Sequence, residues 1–307
     1  MNKEQTSLHI PTYLKEGDKI GLISTARKIS RDELQEAIKC IESWGLEVVL
    51  GENLFNNYHQ FSGQDDERTK DLQSMLDNQD IKAILCVRGG YGTVRIIDDI
   101  DFSQFQKNPK WLAGFSDITV LHSHIHKLNV ATLHSTMPIS FSSNTSKAVM
   151  SLRDALLGKH LSIKIDHHPF NRFGEAKGLI VGGNLSILYS LMGSPSDLNT
   201  DGKILFIEDL DEYLYHVDRM MINLKRSGKL SNIKGLIVGG MTKMNDNAIP
   251  FGKDAESIIK DVVSEYNYPV CFGFPAGHIK DNRALKLGVI AELKVDKQSS
   301  LNYELSP

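Results

Sequence analysis

The chain has 307 residues, 41% hydrophobic and 24% charged, enough to bury a core in about two domains without disulfide or metal staples. Its 35 Lys and Arg against 38 Asp and Glu give a net charge of -3, which excludes a strong electrostatic pull toward nucleic acid or an anionic membrane. Three scattered cysteines, Cys40, Cys86 and Cys271, sit among apolar neighbours and read as reduced core thiols, with no disulfide framework or zinc knuckle.

Met1 to Pro11 is polar and lacks the apolar core of a signal peptide, and no run of about eighteen apolar residues occurs, so the expected location is the cytoplasm. Lys19 to Ser24 reads as a first strand. Arg31 to Trp44 follows as a helix, with Leu34, Ala37, Ile38 and Ile41 at helical spacing and Gly45 as its stop. Leu46 to Leu50 is a second strand, Asp65 to Leu76 a second helix and Ile81 to Val87 a third strand. Thr93 to Asp99 reads as a short helix and Trp111 to Ala113 as the strand that delivers Ser116. This alternation predicts an α/β unit with a parallel sheet, whose ligands sit at strand carboxyl ends.

From about Ser140 to Lys177 the pattern weakens into a polar stretch carrying Pro169, so the expected domains are 1–145 and 177–307 with a linker at 146–176. The second unit has expected strands at Gly178 to Val181, Lys203 to Ile207, Ile233 to Val238 and Pro269 to Phe272. Its expected helices are Leu185 to Met192, Tyr213 to Ser227 and Asp254 to Tyr266, and Leu285 to Leu305 reads as hairpin material.

Three strand ends carry candidate chemistry. After Trp111-Leu-Ala the chain turns at Gly114-Phe-Ser-Asp117 and resumes with helical spacing, which presents a serine hydroxyl beside free helix N–H groups; an ordinary N-cap would have the same composition. Glu208, in Leu205-Phe-Ile-Glu-Asp-Leu-Asp-Glu212, follows a strand directly, while the neighbouring carboxylates read as solvated or first-turn charges. His278 ends Phe274-Pro-Ala-Gly-His278. The order Ser, acid, His is that of α/β-hydrolases, although their elbow needs glycine two residues after the serine, where this chain has Ile118.

Arg88-Gly-Gly-Tyr-Gly92 lies between a strand and a helix and can bring backbone N–H groups to an anion or form a tight turn. His122, His124 and His126 alternate after Ser116, so His122 and His126 share a helix face. No carboxylate or cysteine ligand signature accompanies them, and no metal or other cofactor is expected.

On Arg88-Gly-Gly-Tyr-Gly92, Gly114-Phe-Ser-Asp-Ile-Thr119, Gly182-Gly-Asn-Leu185, Leu205-Phe-Ile-Glu-Asp209, Asp218-Arg219 and Gly273-Phe-Pro-Ala-Gly-His278, in that order, the chain resembles the serine LD-carboxypeptidases (muramoyltetrapeptide carboxypeptidases) and their microcin-immunity relatives. His134-Ser-Thr-Met-Pro138 departs from the His-Gly-Pro often found there, so no role is carried to His134. The resemblance implies a Rossmann-like N-terminal domain, a C-terminal β-rich α/β domain, an active site at their interface and a homodimer. It implies Ser116 as nucleophile, His278 as general base then acid, and Glu208 as the group that orients the imidazole. The N–H groups of Asp117 and Gly90 would form the oxyanion hole, with Arg88 and Tyr91 as substrate contacts. The implied reaction releases terminal D-alanine from a murein tetrapeptide in cell-wall recycling. Arg88, Lys280 and Arg283 are the cations near these motifs, and which of them holds the substrate carboxylate stays open.

Three alternatives stand beside this reading: a microcin-immunity-type hydrolase of aminoacyl or peptidyl adenylate mimics, a non-catalytic nucleotide-binding protein using Gly89-Gly90, and a metal-dependent hydrolase built on the histidine run.

Overall fold

The structure is a computed structural model that describes residues 8–304, so residues 1–7 of the polar start and Leu305 of the expected hairpin lie outside the described residues. In chain order the elements are β1 (Lys19–Ile23), α1 (Arg31–Glu42), β2 (Glu47–Leu50), α2 (Asp65–Asp77), β3 (Ile81–Cys86), α3 (Ser103–Lys107), β4 (Trp111–Gly114), α4 (Thr119–Lys127) and β5 (Thr132–His134). Then come α5 (Ser146–Leu156), β6 (Ser162–Ile165), β7 (Gly174–Asn184), α6 (Leu185–Ser190), β8 (Ile204–Leu210), α7 (Leu214–Arg226), β9 (Gly235–Thr242), α8 (Ala255–Val262), β10 (Val270–Cys271), β11 (Leu285–Leu287), β12 (Ile290–Val295) and β13 (Ser299–Tyr303).

The first sheet has the order β2-β1-β3-β4-β5-β11, parallel except for β11, which pairs antiparallel to β5. The near-continuous apolar runs of β1, β3 and β4 follow from this arrangement, because parallel strands are covered on both faces. On one face α1 buries Leu34, Ala37 and Ile41 and α5 buries Leu152, Ala155 and Leu156. On the other, α2, α3 and α4 bury Leu72, Phe105 and Leu121. A capping box at Ser30 and Glu33 starts α1, each side chain satisfying the other's backbone N–H.

The second sheet runs β10-β9-β8-β7-β12-β13-β6, parallel over its first four strands and antiparallel beyond β7. Apolar residues of α6, α7 and α8 cover its parallel half, among them Leu188, Val217, Met221 and Ile259.

Several boundaries differ from the sequence reading. The segment 146–176, expected as a linker, holds α5, β6 and the start of β7. Serine at Ser146 and Ser151 disguises the apolar face of α5, and the alternation of β6 spans only four residues. Thr93 to Asp99 forms two 3-10 turns, and β11 leaves the expected C-terminal hairpin to join the first sheet. β12 and β13 pair as the hairpin. The three cysteines are free, with Cys86 and Cys271 buried and Cys40 partly so.

Candidate active site

β4 ends at Gly114, Phe115 is extended, and Ser116 takes φ +63° as the first residue of a 3-10 turn that leads into α4. A β-carbon-bearing residue in the left-handed region is strained, and here that conformation falls on a half-buried serine at the strand-to-helix turn. Ile118 stands at the second glycine position of the α/β-hydrolase elbow motif and folds back on Gly114, the first, where a Cβ would lie 2.9 Å from Ile118 Cγ1. The Gly114 carbonyl is fixed from two directions, by the Ser135 N–H (3.1 Å) and by His122 Nε2 (3.0 Å).

Asp117 is buried, and its Oδ2 accepts from the Thr93 N–H at 2.9 Å, which ties the elbow to the end of the glycine loop. Burial raises the Asp117 carboxyl above the ordinary aspartate value, opposed by the Thr93 hydrogen bonds. A Cβ on Gly89 would lie 3.2 Å from the Ser116 Cβ, so the loop after β3 packs directly on the serine. The backbone N–H groups of Gly90 and Asp117 donate to no acceptor among the described residues.

Glu208 enters from β8 and is fully buried. Its Oε2 accepts from His278 Nδ1 at 2.6 Å and from the His278 backbone N–H at 3.1 Å. Gly277 permits this double contact, because at φ +99° its absent Cβ would stand 2.6 Å from Oε2. The Thr242 hydroxyl donates to the His278 carbonyl, and the imidazole packs on the Phe115 ring at 4.8 Å, which brings it against the residue preceding Ser116. Burial pushes the His278 imidazolium down, yet the charge and hydrogen bond of Glu208 outweigh it, so the His278 pKa is raised. With Oε2 as acceptor, Nδ1 carries the proton and Nε2 is left with a free lone pair. The Ser116 hydroxyl makes no hydrogen bond among the described residues.

The structure thus gathers Ser116, the Gly89-Gly90 loop, Glu208 and His278. Arg88 turns away, donating to the Lys28 carbonyl at 2.9 Å with Glu33 at 3.9 Å, and Tyr91 is exposed beside Phe61. Arg283 is engaged with Asp281. Asp209, expected as a solvated charge, is instead buried. It accepts from the Ser186 and Leu210 N–H groups and from Asn184 Nδ2, and burial beside Glu208 pushes its carboxyl up to about 7. Asn184 caps α6 through its side chain and donates its N–H to the Thr119 hydroxyl at the start of α4, linking the second sheet to the elbow helix.

The histidine run is structural. The Gly114 carbonyl only accepts, so His122 Nε2 carries its proton and Nδ1 accepts from the Thr132 hydroxyl, which in turn accepts from His126 Nε2. Burial holds His122 at about 4 and His126 at about 3. His124 points elsewhere, to Ser196. Among the described residues no group of three His, Cys, Asp or Glu is arranged around a metal position.

Comparison with known proteins identifies the family of the chain. Residues 20–135 match the LD-carboxypeptidase N-terminal domain and residues 177–293 the LD-carboxypeptidase C-terminal domain. The chain is 35% identical over 301 residues to the probable murein peptide carboxypeptidase of Bacillus subtilis, covering 95% of this chain and 93% of the relative. It is 28% identical to the murein tetrapeptide carboxypeptidase of Pseudomonas aeruginosa, covering 90% and 93%. The structure of muramoyltetrapeptide carboxypeptidase from Oxalobacter formigenes superposes with a TM-score of 0.86 at 28% identity, over 94% of this chain and 99% of that one. The microcin C7 self immunity protein MccF shares the fold, with a TM-score of 0.85 at 22% identity over 96% and 98% of the two chains. With both domains matched in order and relatives aligned over nearly the whole length, the chain belongs to the LD-carboxypeptidase family, a family of peptidases.

Proposed function

We propose that the protein is a serine carboxypeptidase that hydrolyses the L,D amide bond holding terminal D-alanine in a murein tetrapeptide. The observation that carries this reading is the 2.6 Å bond from buried Glu208 to His278, whose ring packs on the strained turn presenting Ser116. Ser116 Oγ attacks the scissile carbonyl carbon while His278 Nε2 takes its proton. The resulting oxyanion is met by the N–H groups of Gly90 and Asp117. His278 then protonates the amine of the leaving D-alanine, and water, activated by the same imidazole, releases the tripeptide from Ser116. Glu208 keeps Nδ1 protonated and stabilises the imidazolium. Relatives whose names specify murein peptide and murein tetrapeptide substrates support the substrate class.

The test is mass spectrometry of disaccharide-tetrapeptide after incubation with the protein, beside the same compound ending in L-alanine and a peptidyl adenylate mimic. Loss of one alanine from the D-terminated compound alone is the expected result. Cleavage of the adenylate mimic alone would overturn the proposal in favour of the immunity-type activity.

A further inference from the structure

The strand order β2-β1-β3-β4-β5 changes direction between β1 and β3, and in open α/β sheets ligands occupy the crevice beyond the strand carboxyl ends at such a reversal. Two segments meet there: the loop after β1, which carries Arg27, and the glycine loop after β3. The Arg27 backbone is fixed, its N–H donating to the Gly89 carbonyl at 3.4 Å and its carbonyl accepting from the Ser24 hydroxyl at 2.6 Å. Its side-chain stem lies across Gly90. A Cβ there would be 2.6 Å from Arg27 Cδ and 2.8 Å from Nε, and Gly90 holds φ +114°, so both conformation and close approach require glycine. Since neighbouring Gly89 packs on Ser116, the Arg27 guanidinium is carried over the loop that touches the candidate nucleophile. The charge also reaches into the elbow, where it favours ionised Asp117.

Neighbouring guanidiniums are already committed. Arg68 bonds the Thr25 carbonyl and Asp65, Arg95 bonds Asp65, Arg88 bonds the Lys28 carbonyl and Arg283 bonds Asp281. Among the described residues the Arg27 side chain has neither hydrogen bond nor ion pair, and it is exposed at the crevice. A carboxypeptidase must recognise a free carboxylate one Cα beyond the scissile amide. A planar, permanently charged fork matches that group in two hydrogen bonds.

We propose that Arg27 binds the terminal carboxylate of the peptide substrate and thereby restricts cleavage to the last residue, an assignment that rests on the reading of Ser116, Glu208 and His278 given above. The experiment compares a D-alanine-terminated murein tetrapeptide with its C-terminal amide. Rates are measured with wild type, Arg27→Met and Arg27→Lys, and binding to the inert Ser116→Ala background, with and without Arg27→Met, is followed by calorimetry. Losing a charge-assisted bidentate contact is expected to lower kcat/KM for the acid about 10- to 100-fold, mostly through KM, with Arg27→Lys between. The amide, already poor, should lose little. A Lys280→Ala variant should keep the wild-type preference for the acid. If Arg27→Met cleaves or binds acid and amide in the wild-type ratio, the assignment is wrong. If wild type cleaves neither compound, the proposed reaction fails while the calorimetric ratio still decides Arg27: a wild-type preference for acid lost in Arg27→Met supports the assignment, and its persistence overturns it.

Discussion

Glu208 holds His278 through one oxygen, accepting from the ring and the backbone together, so its removal affects both the protonation and the placement of the proposed base. Glu208→Gln keeps the shape but loses the charge that favours Nδ1–H and the imidazolium. We expect kcat to fall about 10³- to 10⁴-fold with secondary structure intact. The same change moves the pH profile. Because the folded-state pKa of His278 is raised, the basic form needed for attack appears only above the ordinary value of about 6.5. The alkaline-going limb of kcat/KM should therefore shift to lower pH in Glu208→Gln. Stability has the opposite sense in wild type: the pair's contribution is complete below about 6.5 and is lost as pH rises through the raised pKa. An unmoved limb in the variant would contradict the role given to Glu208.

At the scale of elements, the turn at Gly277 sets how close Glu208 lies to His278. Gly277→Ala drives a Cβ to 2.6 Å from Glu208 Oε2 at a left-handed φ, whereas Gly17, also left-handed, faces open space. In urea denaturation Gly17→Ala should cost about 1 kcal/mol from backbone strain alone. Gly277→Ala should cost more and also depress kcat, because the turn must retreat from Glu208. Equal losses in the two variants would show that the close approach is unimportant. At this scale much was legible in the sequence. Ser116, Glu208 and His278 each close an apolar run with turn-forming residues, a local signal. Asp209 was not legible, because its burial depends on Asn184 and Ser186 arriving from another strand end. Arg27 was equally hidden, since its relation to Gly90 arises only when β1 and β3 become neighbours.

Across the whole molecule, the two sheets are joined by more than a linker. Leu285 and Leu287 of β11, both fully buried, complete the first sheet from the far end of the chain, and α5 covers that sheet from within the segment expected as a connection. The sequence could not reveal this, because a three-residue strand pairs by tertiary context and carries no periodicity of its own. Where the sheets meet, buried neutral histidines accumulate. His122 and His126 are held at about 4 and about 3, and His134, whose ring nitrogens have no hydrogen-bond partner among the described residues, well below its ordinary value, all chiefly by burial. An unfolded histidine binds its proton near 6.5, so this stability is present above about 6.5 and is lost as pH falls toward 4. Denaturation midpoints should drop steeply over that window. His134→Leu, which removes two unpaired buried nitrogens, should flatten the drop without loss of stability at pH 7. A drop of wild-type steepness in the variant would show that His134 does not carry it.

Covalent trapping addresses the centre of the account: a tetrapeptide analogue bearing a reactive phosphonate in place of the scissile amide, incubated with wild type and with His278→Ala, followed by peptide mapping. One adduct per chain is expected, on Ser116, formed rapidly by wild type and only very slowly by the variant. An adduct on another residue, or labelling of Ser116 at the same rate without His278, would contradict it.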